Sequence, residues 1–160
     1  MFKTKRNIAL ALALCALLVP MIVMAKDKVE RPFKQKGEGV LVLDFWDWYW
    51  TADPDIPMWI EWESGQATHL GLYTSSATGI YNFDTGAANM SGYVTAANGD
   101  KVYWEATDGN ITFTGGTGRF EGASGSMNST AITLSEEWDT DSPWLLRIRR
   151  TLSAVGTITY

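Results

Sequence analysis

The sequence predicts an all-β fold, a closed antiparallel barrel of about eight strands. Three observations carry that prediction. Short runs rich in Val, Ile, Thr, Tyr, Phe and Trp recur at close spacing, and Gly, Ser and Asn punctuate them. No stretch keeps helical periodicity over about 11 residues. The aromatic content, 8 Trp, 6 Tyr and 6 Phe, with a charged fraction of only 19%, is that of a folded domain and not of a disordered chain. Nine or ten short strands suit a barrel or a sandwich, and closure is favoured because it removes the exposed sheet edges that invite aggregation.

The first 25 residues read as a cleavable signal peptide. Lys3, Lys5 and Arg6 precede an apolar run from Ile8 to Met24, no acidic residue occurs before Asp27, and Val23-Met24-Ala25 offers cleavage after Ala25. The run approaches the ~20 residues that span a bilayer, so an uncleaved anchor is the alternative. Pro20 late in the run and the good cleavage site favour removal. Cys15 follows Leu12 by three positions as in a lipoprotein, but Leu14 is too large for the place before a lipidated cysteine. The expected location is therefore exported, periplasmic or extracellular, without stable membrane insertion after cleavage.

Cleavage leaves 135 of the 160 residues and no cysteine, so no disulfide holds the mature chain. Loss of three basic and no acidic residues moves the formal charge from −5 to −8, which argues against nucleic acid or an anionic membrane as partner. One histidine and no cysteine disfavour a zinc site and a Ser-His-Asp or Cys-His nucleophile; no metal and no cofactor are expected.

Residues 26–38, dense in charge and holding Pro32, read as a flexible leader or an early extended arm, with the barrel domain over 39–160. Gly39 to Trp50 reads as one long strand. Residues 52–57 form a loop on their proline and aspartate content, and Met58 to Glu63 resumes as a strand. Further strands are expected at 67–74, 78–83, 89–96, 101–106, 110–114, 124–134, 144–152 and 154–160. Asn98-Gly99 between two of them signals a type I′ hairpin.

The segment Thr114-Gly115-Gly116-Thr117-Gly118-Arg119-Phe120-Glu121-Gly122-Ala123-Ser124-Gly125 is the most distinctive in the chain. Its glycines permit sharp reversals, and Phe120 is placed to plug a barrel end. A phosphate loop is disfavoured because no Lys-Ser/Thr follows and no βαβ unit surrounds it. The segment resembles the G-G-T-G-x-F-x-x-A-x-G stretch of dirigent proteins and allene oxide cyclase-like barrels. With Thr68-His69-Leu70-Gly71 and Thr95 to Asp100, it is similar to exported bacterial proteins sharing that signature. The resemblance spans roughly residues 65–126. It implies an eight-stranded barrel, assembled as a trimer in many plant relatives, and a hydrophobic substrate held in the barrel. It transfers no catalytic residue.

Candidate binding residues follow from strand alternation. On a strand running to Trp50, Asp44, Trp46 and Trp48 share a face with Val40 and Val42. On the penultimate strand Trp144, Leu146, Ile148, Arg150 and Leu152 share one, with Arg147 and Arg149 opposite. An arginine on an apolar face needs an anion, so Arg150 either lies inside the barrel with Asp44 or Glu61 as partner or sits near a strand end with its head in water. His69 and Tyr73 alternate nearby as wall residues; no acidic partner makes His69 a general base. The acidic run Glu136 to Asp141 lacks the spacing of a calcium loop. Aromatic walls with a few polar groups describe a pocket for a small hydrophobic or aromatic molecule. Three functions remain open: a binding module, an isomerase or cyclase acting in the same pocket, and a self-associating protein with a filled barrel. An outer-membrane barrel is disfavoured by the short, weakly apolar alternation of residues 89–96.

Overall fold

The computed structural model describes residues 28–160, so the signal segment 1–25 lies outside the described residues. Eight strands close into an antiparallel barrel in which each pairs with its sequence neighbour and the last with the first. They are β1 Glu30–Asp44, β2 Asp55–Ala67, β3 Gly71–Asn82, β4 Ala88–Ala96, β5 Lys101–Thr107, β6 Asn110–Gly116, β7 Ser124–Trp138 and β8 Leu145–Thr159. Among the described residues, one short helix, α1 Trp46–Thr51, and a single 3-10 turn, Gly118–Phe120, interrupt them.

The charged stretch before Gly39 is strand from Glu30 on. It pairs with β8 along its length, from Glu30 opposite Thr159 to Gly39 opposite Arg150. Most of its charges occupy one face: Glu30, Lys34, Lys36 and Glu38 point to solvent, while Phe33 and Gln35 are buried and Arg31, on their face, stacks over the Tyr160 ring. A strand with one charged face looks like a leader when its residues are merely counted.

The aromatic run departs from expectation in the other direction. The strand stops at Asp44, whose Oδ1 accepts the Trp46 N–H at 3.0 Å, and Trp46–Thr51 coils into α1. Ala52, in the left-handed region at φ 57°, ends that helix. Alternation beyond Asp44 therefore assigns no faces.

Two hairpins exchange roles. At Ala96–Asp100 the Gly99 N–H reaches the Ala96 carbonyl at 2.9 Å, and Gly99 alone has positive φ, giving a three-residue loop with a glycine bulge in place of the expected type I′ turn. The type I′ geometry occurs instead at Asp108–Gly109, both with positive φ, between Thr107 and Asn110. The two last strands expected from the sequence are one continuous β8.

The two ends of the barrel differ. At the end bearing the β2–β3, β4–β5 and β6–β7 turns, Phe33, Leu70, Val102, Phe120 and Ile158 are almost wholly buried. Phe33 meets Phe113 edge-on at 5.1 Å, and Phe120 meets Tyr160 at 4.9 Å. Phe120 plugs this end as expected. Gly118, at φ +56°, turns the chain beside the Asp100 carboxylate, which accepts the Arg119 N–H at 3.2 Å, and the Thr117 hydroxyl accepts the Lys101 N–H at 2.8 Å. The opposite end is hollow.

Candidate functional site

A cavity of ≈ 430 Å³ occupies the hollow half. That volume falls within the range of about 300–1,000 Å³ typical of small-ligand pockets. Aliphatic side chains form most of its wall: Leu41 and Leu43 from β1, Met58 and Ile60 from β2, Met90 from β4, Ile111 from β6, Met127 from β7 and Leu146, Ile148 and Leu152 from β8. Aromatic rings are few inside it: Trp104 on the wall, and Phe45 and Tyr81 toward the mouth.

Gln35, Glu63 and Arg150 supply the polar part of the wall, with Tyr73 behind them. Gln35 Nε2 donates to the Tyr73 hydroxyl at 2.8 Å and to Glu63 Oε1 at 3.3 Å, while Arg150 Nη2 lies 3.8 Å from Glu63 Oε2. Gln35, Glu63 and Tyr73 are at most 6% exposed. Gly37 makes the cluster possible, since a Cβ there would overlap the Tyr73 hydroxyl.

Burial raises the Glu63 carboxyl above its ordinary range, against the opposing pull of Arg150 and the Tyr73 hydrogen bond. Burial, then the Glu63 charge, pushes the Tyr73 phenol far up, so it stays a neutral hydroxyl. Arg150 is lowered by the same desolvation and partly restored by Glu63; as a guanidinium it stays charged.

The partner expected for Arg150 is thus corrected. A one-residue bulge in β2 explains it: Leu41 pairs with Ile60 and Val40 with Trp62, leaving Glu61 unmatched. Residues Ile56, Met58 and Ile60 face inward before the bulge, and Glu63 and Ala67 after it. Glu61 stays outside, where Arg147 Nε approaches its Oε2 at 3.3 Å and Arg147 Nη1 also holds Asp139. Asp139 in turn accepts the Asp141 and Ser142 N–H groups at 2.8 Å, shaping the β7–β8 turn.

The other sequence-derived candidates scatter. Tyr73 belongs to the interior cluster. Asp44 anchors the start of α1 and does not line the cavity. His69 sits in the β2–β3 turn at the plugged end, at φ 69°, its Nε2 3.0 Å from the Pro32 carbonyl oxygen, which makes it a turn residue remote from the cavity. Trp46 and Trp48 stand outside the barrel in an aromatic cup of ≈ 670 Å³ with Trp50, Phe83, Trp138 and Trp144. Trp46 packs on Trp144 at 4.5 Å and Trp48 on Phe83 at 5.4 Å. Cup and cavity share Phe45 and Leu146, so the two adjoin.

Gln35, Glu63 and Trp104 are the site residues that sequence reasoning missed. Gln35 lay in the stretch read as leader, Glu63 was on the wrong face without the bulge, and Trp104 was one tryptophan among eight.

Structural comparison decides the architecture. A solved pterocarpan synthase dirigent protein matches 85% of this chain over 88% of its own, with a TM-score of 0.50 and 12% identity. This is a dirigent-like barrel. Identity that low extends to the fold alone. At the level of sequence no family model matches, and no curated protein matches either.

Proposed function

We propose that this protein is an exported barrel that binds a small hydrophobic molecule in its hollow half, reached through the aromatic cup. The observation that supports this reading is the cavity itself: one half of the interior is packed shut, and the other leaves ≈ 430 Å³ between aliphatic walls. Close packing is the default of protein interiors, so a void of this size costs stability unless something occupies it. Export rests on residues 1–25, and charged outer faces such as Lys34, Lys36 and Glu38 suit an aqueous compartment.

Titration of the folded protein with phenylnaphthylamine, a neutral hydrophobic fluorophore, tests the reading. Saturable one-to-one binding is expected, weakened at least about tenfold by Ala106→Phe, which fills the cavity. Absence of saturable binding, or equal affinity in a variant with an unchanged circular dichroism spectrum, defeats it.

A second reading, self-association, is favoured by one feature. β6 pairs with β7 only from Gly125 to Asn128, so β7 beyond Ser129 has β8 as its sole strand partner. Ile132 and Leu134 stand more than half exposed there. Sedimentation of wild type and of Ile132→Lys/Leu134→Lys distinguishes an oligomer joined by this edge from a monomer.

A further inference from the structure

Three buried polar atoms on the cavity's lining residues have no partner: Trp104 Nε1, Arg150 Nε and Gln35 Oε1. The first two are donors and the third is an acceptor. An unpaired buried polar group costs about 1–3 kcal/mol, and three around one void constitute an unmet demand. They belong to β5, β8 and β1, strands that all contribute to the wall of this one cavity.

A hydroxyl group offers one donor and two acceptor lone pairs, the complement of this set. Charge selects further. Arg150 already faces Glu63, the two opposite charges cancel, and no other cation lines the cavity. A carboxylate would add a second buried anion beside Glu63. The rest of the wall selects again: Met58, Met90 and Met127, with Ile and Leu around them, make a pliant aliphatic surface with few ring faces to stack on.

We infer that the ligand is a neutral aliphatic alcohol, bound with its hydroxyl among Trp104, Arg150 and Gln35 and its chain running toward Phe45 and the aromatic cup. This rests on the binding function proposed above and narrows it to one chemical class and one orientation.

Competition against bound phenylnaphthylamine by decanol, decane, decanoate and naphthol tests it, together with the indole N–H resonance of Trp104, assigned by its loss in Trp104→Phe. Decanol is expected to compete best, about tenfold or more ahead of decane, and to move the Trp104 resonance as hydrogen bonding does. Trp104→Phe is expected to narrow the preference for decanol over decane, read as the ratio of the two affinities measured in that same variant. Decane equal to decanol overturns head-group recognition, with water as the occupant of the polar atoms. Decanoate binding tightest overturns the neutral head, and naphthol binding tightest overturns the aliphatic class. Binding of decanol without movement of the Trp104 resonance overturns the orientation. If the fluorophore itself fails to bind, the cavity reading falls first and this inference with it.

Discussion

The two ends of the barrel are built from the same eight alternating strands, yet one is packed solid and the other is open. At the packed end the loop through Gly118 folds Phe120 inward onto Tyr160, and Phe33 meets Phe113, so large rings fill the closure. At the open end the rings point outward: α1 carries Tyr49 and Trp50 at 70% and 66% exposure, and the interior is left to slimmer aliphatic chains. Aromatic residues at both ends thus serve opposite purposes. The packed end concentrates burial, the main favourable term in folding, while the open end gives up packing and leaves space for a guest.

Substitutions break this contrast in graded steps. Phe120→Ala removes the plug and is expected to destabilise by about 3–5 kcal/mol, read as a shift in the urea midpoint. Arg150→Met at the boundary between the halves removes the cation that faces the buried Glu63 carboxyl. A loss of about 3 kcal/mol is expected, at the lower end for buried pairs because the pair borders an open cavity. Adding Glu63→Gln should recover most of it, and a double-mutant cycle by chemical denaturation measures the coupling.

The same carboxyl sets a pH dependence. Folding raises the Glu63 pKa, so the native state holds its proton more firmly than the unfolded chain does. Its contribution is fully present below the ordinary carboxylate range and is lost as pH rises through the raised native value. Stability of wild type relative to Glu63→Gln is therefore expected to fall with rising pH across that window and then level off, as denaturation series at stepped pH would register.

Filling the open end sharpens the contrast from the other side. Ala106→Leu is expected to gain about 0.5–2 kcal/mol in thermal or urea stability while weakening fluorophore binding. The smallest effect belongs to the cup: Trp50→Ala should stay within about 0.5 kcal/mol of wild type in the same denaturation assay. A larger loss would make the cup part of the core.

Much of this architecture was legible in the chain before any coordinates. Alternating apolar residues and glycine turns dictate antiparallel strands, and the glycines and Phe120 between Thr114 and Gly125 announce the plug, because those properties follow from local backbone freedom and side-chain period; the kind of barrel came from that segment's resemblance to dirigent proteins. Arg150 on an apolar face left two readings open, an interior ion pair or a head in water, and the barrel holds it beside Glu63. Its partner was not readable, because the extra residue at Glu61 inverts the faces of β2, and a bulge is decided by how two strands match across a closed sheet. The same limit hid Gln35, whose burial depends on pairing with β8 far along the chain, and α1, where helical turns replace an apparent strand. Local sequence determined most of the strands and the residue, Phe120, that stoppers one end. Only closure of the barrel, by fixing register around eight strands at once, decided which polar groups face inward and where space remains.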